Sequence, residues 1–249
     1  MKKIFSFILA AFISFVVWAT IGAAAENIKI DQEVKDFVSK ASFIEDKSTD
    51  KVKYYEVKSD KTLDLPSYRT KGNKTYPGSP GDIICAKTAA VEIPIIYEGI
   101  TLYVGGHAAL CGFDYVTDGF RFKEGTSLEI TGFGGDITAK TEDSSYFFDG
   151  YYKEFMVYRV DTSLENRFTA FINGLSYYGQ SYNYVYIFNQ KSKKYCSNLV
   201  NEAYKAVGIN LDTDGLATTV LDVMASPKLY LVYYSRLDES GIRYNYALV

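Results

Sequence analysis

Residues 195–208 read YCSNLVNEAYKAVG. Cys196, Leu199, Val200, Ala203, Tyr204 and Val207 recur on one helical stripe, and Gly208 supplies a C-terminal stop. The stretch therefore predicts a helix with a cysteine in its first turn. A thiol placed there meets the positive end of the backbone dipole and its unpaired N–H donors, both of which favour the thiolate. Lys193 and Lys194, just upstream, are expected to push the same way. A cysteine in mid-helix would read as core; one that opens the helix points to reactivity.

A nucleophilic thiol needs a base, and the chain has a single histidine, His107, in VGGHAALCG (104–112). The two glycines allow a close backbone approach, and the residues after them read as a strand. Along it His107 and Ala109 share one face while Ala108 and Leu110 share the other. In SLEITG (127–132) the same alternation sets Leu128 and Ile130 against Glu129. A carboxylate on the strand after the histidine can hold the second imidazole nitrogen and so fix its tautomer. Asp114 and Asp118 are the fallback acids. One histidine and scattered cysteines give no zinc-type spacing, and there is neither a GxSxG elbow nor a phosphate-cradling glycine loop.

The rest of the chain sets the frame. It has 249 residues, and its start is basic (Met1-Lys2-Lys3), then apolar from Ile4 to Ala19, then small-residue-rich up to Ala25. Those are the three parts of a secretory signal, with cleavage near Ala25 and no stable membrane span afterwards. Asp and Glu number 30 against 27 Lys and Arg, for a net charge of -3, which argues against nucleic acid as a partner. Three cysteines are an odd number: Cys85 and Cys111 either bridge each other, leaving Cys196 alone, or all three are unpaired.

Residues 27–45 place Ile30, Val34, Phe37, Val38 and Ala41 on one helical face, with Asp31 as N-cap. Residues 46–80 are charged, then rich in Gly, Pro and Ser, and read as loop. From 82 onward DIICA, ITLYV, HAALCGF, SLEITGF, FMVYRV and KLYLVYY are short β-type runs. SLENRFTAFINGLSYYG (163–179), the cysteine helix and TTVLDVMAS (218–226) are helical in period. The class is α+β: a largely antiparallel sheet with helices on one side.

In order, PGDIICA, GGHAALCG, SLEITG, SYNYVYIF and YCSNLVNEAY resemble the circularly permuted NlpC-type papain-like proteins of the YiiX-like group, over roughly residues 78–236. The permutation puts histidine before cysteine, as here. The resemblance implies a papain-like fold, an antiparallel sheet or half-barrel packed on helices. It makes Cys196 the nucleophile, His107 the general base and Glu129 the orienting third member. Tyr182, Tyr195 and Gly106 become substrate contacts, and neither cofactor nor metal is called for. The domains expected are a signal peptide (1–25), an accessory N-terminal helix and linker (26–77) and the catalytic domain (78–249). The implied function is a secreted or cell-surface cysteine hydrolase of amide or peptide bonds, acting on a substrate such as a cell-wall peptide. The alternatives are a lipid-directed acyltransferase or thioesterase using the same residues, and a non-catalytic binding module that keeps the fold.

Overall fold

Strand β5 (Ile83–Ala86) is buried along its whole length, as a four-residue apolar run in the middle of a sheet must be. It is one of nine strands in the main sheet of the computed structural model, which describes residues 24–87, 106–113, 115–117, 120–123, 125–131, 139–183, 191–212, 215 and 217–249. The others are β1 (Ala41–Ile44), β2 (Val52–Val57), β6 (His107–Cys111), β9 (Thr126–Glu129), β10 (Lys140–Asp143), β11 (Glu154–Val160), β14 (Leu229–Leu237) and β15 (Arg243–Leu248). They lie in the order β1-β2-β15-β14-β11-β5-β6-β9-β10. Every pairing among them is antiparallel except β15 with β2. The smaller pairs are β3 (Tyr68–Lys71) with β4 (Lys74–Pro77), β7 (Tyr115–Thr117) with β8 (Phe120–Phe122), and β12 (Ser181–Tyr182) with β13 (Lys193–Lys194).

Alternation divides the sheet into two faces. Leu110 opposite Leu128 lies on the helical side, where a Cβ on Gly174 would meet both leucines and Ala203. That glycine lets the helix Leu164–Leu175 press against the sheet and against the cysteine helix, Cys196–Lys205. Ser163 caps the first of these helices, and Thr219 with Asp222 forms a capping box on the short helix Val220–Ala225. The opposite face carries Phe155, Val157 and Tyr233, packed against Phe148 of the 3-10 turn Ser144–Phe148 and against Tyr68.

A buried ion pair locks the centre. Arg159 Nε and Nη2 donate to the two oxygens of Asp82, each at 2.8 Å, and both side chains are fully buried. Asp82 also accepts from Ser79 N at 2.8 Å, and Arg159 donates to Leu65 O and Pro66 O. Cys111 N donates to the Asp82 carbonyl at 2.8 Å, and Gly81 N to Cys111 O at 2.9 Å. Gly81 has φ +79, and a Cβ there would lie 2.5 Å from that of Arg167. The PGD turn is thus the knot that joins β5, β6 and β11 to the helical layer.

Three expectations change. The segment 26–77 is not an appendage, because β2 runs in parallel register with β15 from Arg243↔Val52 to Leu248↔Val57 and β1 extends the same sheet. Residues 24–39 are helical, so Asp31 lies within the helix and does not cap it; Ile30 and Phe37 are buried as the periodicity required. The stretch 46–80, read as loop, holds β2 and the β3–β4 hairpin, which turns on Gly72-Asn73 with Gly72 at φ +61. Cys85 and Cys111 are free thiols. Register gives the reason: Cys85 pairs with Ala108, so Cys111 points out of the opposite face. Residues 1–23, with most of the expected signal peptide, the ITLYV run, Asp114 and Asp118 lie outside the described residues. No helix among the described residues is long and apolar enough to cross a membrane.

Replacing Arg159 with Ala leaves the buried Asp82 carboxylate without its counter-charge. We expect a loss of about 3–5 kcal/mol in urea unfolding, with Asp82→Leu/Arg159→Met less destabilised than the sum of its single variants.

Candidate active site

The antiparallel pairing of β6 with β9 (Leu110↔Leu128, Cys111↔Ser127) turns His107 and Glu129 to the same face. Glu129 Oε2 lies 2.6 Å from His107 Nε2, leaving Nδ1 for another partner. The carboxylate is held from two further directions, by Tyr146 Oη donating to Oε2 at 2.7 Å and Ser127 Oγ donating to Oε1 at 2.8 Å. The rings of Tyr152 and Phe147 lie nearly parallel to the imidazole, with centroids 6.0 Å and 6.3 Å away. Gly106, at φ +91, precedes the histidine, and a Cβ there would fall 2.1 Å from Ala86 O. Its part is to let β6 begin tight against the end of β5.

Cys196 opens its helix as expected, after Tyr195 in extended conformation and with no side chain capping that end. Cys196 is 4 % exposed, and its sulfur interacts directly with the His107 ring. The backbone N–H groups of Ala108 and Ser197 also point at it. Ser197 Oγ donates to Thr218 O at 2.7 Å and Asn201 Nδ2 to Thr218 Oγ1 at 3.1 Å, which ties the helix to the segment before Val220–Ala225.

The electrostatics follow from these contacts. Burial opposes ionisation of Cys196, but the hydrogen bond and charge of His107, with the two amides, bring the thiol below its ordinary value. Burial likewise opposes the imidazolium, yet Cys196 and Glu129 together raise His107 well above its usual range. Glu129 is held below the usual carboxylate range, because His107, Tyr146 and Ser127 outweigh the cost of burying it. All three shifts run in the direction that favours a row of alternating charge: thiolate, imidazolium, carboxylate. Cys85 and Cys111 are pushed the other way by burial and stay thiols.

The structure brings Cys196, His107 and Glu129 together. It places Tyr182 on β12, paired with Lys194 of the strand that leads into the cysteine helix. Tyr195 has its side chain buried and turned towards Thr218. The lysines are not the source of the lowered thiol, since Lys194 is buried over the Tyr177 ring. Sequence reasoning missed Ser127, which the period-2 rule would have put on the face of Glu129. It also missed Tyr146, whose distance along the chain left no signal. Among the described residues no group of three or more His, Cys, Asp or Glu side chains is arranged to hold a metal ion.

Residues 143–228 match the model of a family described as permuted papain-like amidase enzyme, YaeF/YiiX, C92 family. The matched segment contains Cys196 and Tyr146. The chain is also similar to a solved structure described as the metalloprotein yiiX from Escherichia coli O157:H7. The two are 15% identical with a TM-score of 0.45, over 61% of this chain and 95% of that one. No curated protein matches. Over residues 143–228 the match agrees with the resemblance read from the order of the motifs, and the described elements are of the expected α+β class.

The row of charges has a pH signature. With the thiol lowered and the imidazole raised, iodoacetamide should alkylate Cys196 at about pH 7 faster than it does an ordinary thiol, which ionises near pH 8.5. In His107→Ala the rate at about pH 7 should fall at least about tenfold and recover only near the ordinary thiol range, about pH 8.5. Mass spectrometry of the labelled peptide reads both outcomes.

Proposed function

We propose that this chain is a cysteine hydrolase of amide bonds that works through Cys196, His107 and Glu129. The similarity to a family of permuted papain-like amidases supports a thiol enzyme of the peptidase or amidase type. The observation that carries the finer reading is the unbroken contact from Cys196 through His107 to Glu129, on three separate elements.

In this reading the Cys196 thiolate attacks the substrate carbonyl carbon, forming a C–S bond. The N–H groups at the start of its helix face the oxygen that takes up the negative charge. The imidazolium of His107 gives its proton to the leaving nitrogen as the C–N bond breaks, and the amine departs from a thioester. Neutral His107 then takes a proton from water, whose oxygen attacks the thioester; the acid is released and the thiolate and imidazolium return. Glu129 holds Nε2–H throughout, so that Nδ1 stays turned to the sulfur.

For the substrate we infer a peptide, with an exported cell-wall peptide favoured by the signal-like start of the sequence. A lipid substrate would call for an apolar groove near the thiol. The aromatic stretch 144–158 instead buries Phe147 against Tyr152 and against Phe155 of β11. That favours the amide over the acyl ester.

A panel of fluorescent muropeptides and long-chain acyl esters tests the reading. We expect turnover of muropeptide amides, lost by several orders of magnitude in Cys196→Ala. The loss in His107→Ala should be about 10²–10⁴-fold. Full activity of either variant, or turnover confined to the acyl esters, would refute it.

A further inference from the structure

Glu129 is approached by three donors, and they do not share its oxygens evenly. Ser127 Oγ takes Oε1 alone at 2.8 Å, whereas His107 Nε2 and Tyr146 Oη meet on Oε2 at 2.6 Å and 2.7 Å. We propose that Tyr146 is a positioning residue for the reaction: by donating to the very oxygen that meets His107, it fixes the carboxylate's rotation and so aims the imidazole at Cys196. This rests on the hydrolase reading above.

The geometry supports such a part. Glu129 is 1 % exposed, so water does not share in orienting it, and its two-fold rotor would otherwise answer only to its own strand and to the histidine. Tyr146 reaches it from the 3-10 turn, which is anchored independently: Asp143 caps its start by accepting from Ser145 N, and Ser144 Oγ donates to Gly125 O at 2.9 Å. The Tyr146 ring packs on Phe147 at 4.5 Å, and Phe147 in turn lies against the imidazole. One turn of chain therefore holds both the histidine ring, by contact, and its carboxylate partner, by hydrogen bond. The titratable groups that face Glu129 are His107 from β6, Tyr146 from the turn and Tyr152 from ahead of β11; Cys196 faces His107 and Tyr152.

Tyr146→Phe keeps the ring and removes the donor. A carboxylate that has lost one of its three donors in a buried site takes up a proton at higher pH, and its neutral form no longer supports the imidazolium. The acid limb of Cys196 alkylation by iodoacetamide should move to higher pH, with the rate on that limb reduced several-fold. Ser127→Ala, which strips the oxygen that the histidine does not use, should move the limb less. Tyr146→Phe with the wild-type profile, or Ser127→Ala with the larger shift, would overturn the proposal. Thermal unfolding of each variant, followed alongside, separates a shifted limb from lost folding: a lower midpoint with an unmoved limb also counts against it. Alkylation needs no substrate, so a chain that cleaves no amide but shows the shift would defeat the hydrolase reading and leave the positioning geometry standing.

Discussion

The site depends on a pair of charges that takes no part in its chemistry. Asp82 and Arg159 are both removed from water, and burying ions costs several kcal/mol each unless geometry and further hydrogen bonds repay it. Here the guanidinium matches the carboxylate with two parallel bonds, while loop carbonyls at Leu65 and Pro66 take its other protons. The backbone of Asp82 then receives Cys111 N, which pins β6 against β5. Pinning matters because side chains alternate along a strand. A slip of one residue would turn His107 towards the helices and send Leu110 into the aromatic face.

Around that frame the site uses burial as a lever. Desolvation alone would leave a neutral thiol, a neutral imidazole and a protonated acid, none of them useful for attack at a carbonyl. Each is drawn towards its ionised form by the next group in the row, and the last, Glu129, is supported by hydroxyls. The two other cysteines show what happens without such neighbours: in the same sheet, fully buried, their thiols are driven up.

The chemistry-bearing residues were legible in the sequence because each announced itself locally. Cys196 stood in the first turn of an amphipathic helix, His107 followed a pair of glycines, and Glu129 alternated with Leu128 and Ile130. What supports them was not legible. Tyr146 acts across space from a turn with no periodic pattern, and Arg159 is one polar residue in an apolar strand whose partner, Asp82, lies 77 residues upstream, just ahead of β5. The direction of Tyr195 was not legible either: adjacency along the chain to Cys196 says nothing about direction, and the extended backbone before the helix sends its side chain inward. The early strands escaped notice because β2, VKYYEV, is half-buried through most of its length and mixes lysine with tyrosine, so no clean alternation marks it.

The placing of β15 between β2 and β14 has a consequence for how the molecule is assembled. Until that late strand is available, β1 and β2 are a detached ribbon, and the bond from Ser67 to Leu248 must close across 181 residues. Early and late parts of the polypeptide therefore have to find each other before the layer is continuous, a slow, entropically costly search in a topology of this kind. A ribosome-bound intermediate would keep the β1–β2 hairpin unsheltered until Arg243–Leu248 has emerged, which makes that interval the one in which a chaperone has most to protect.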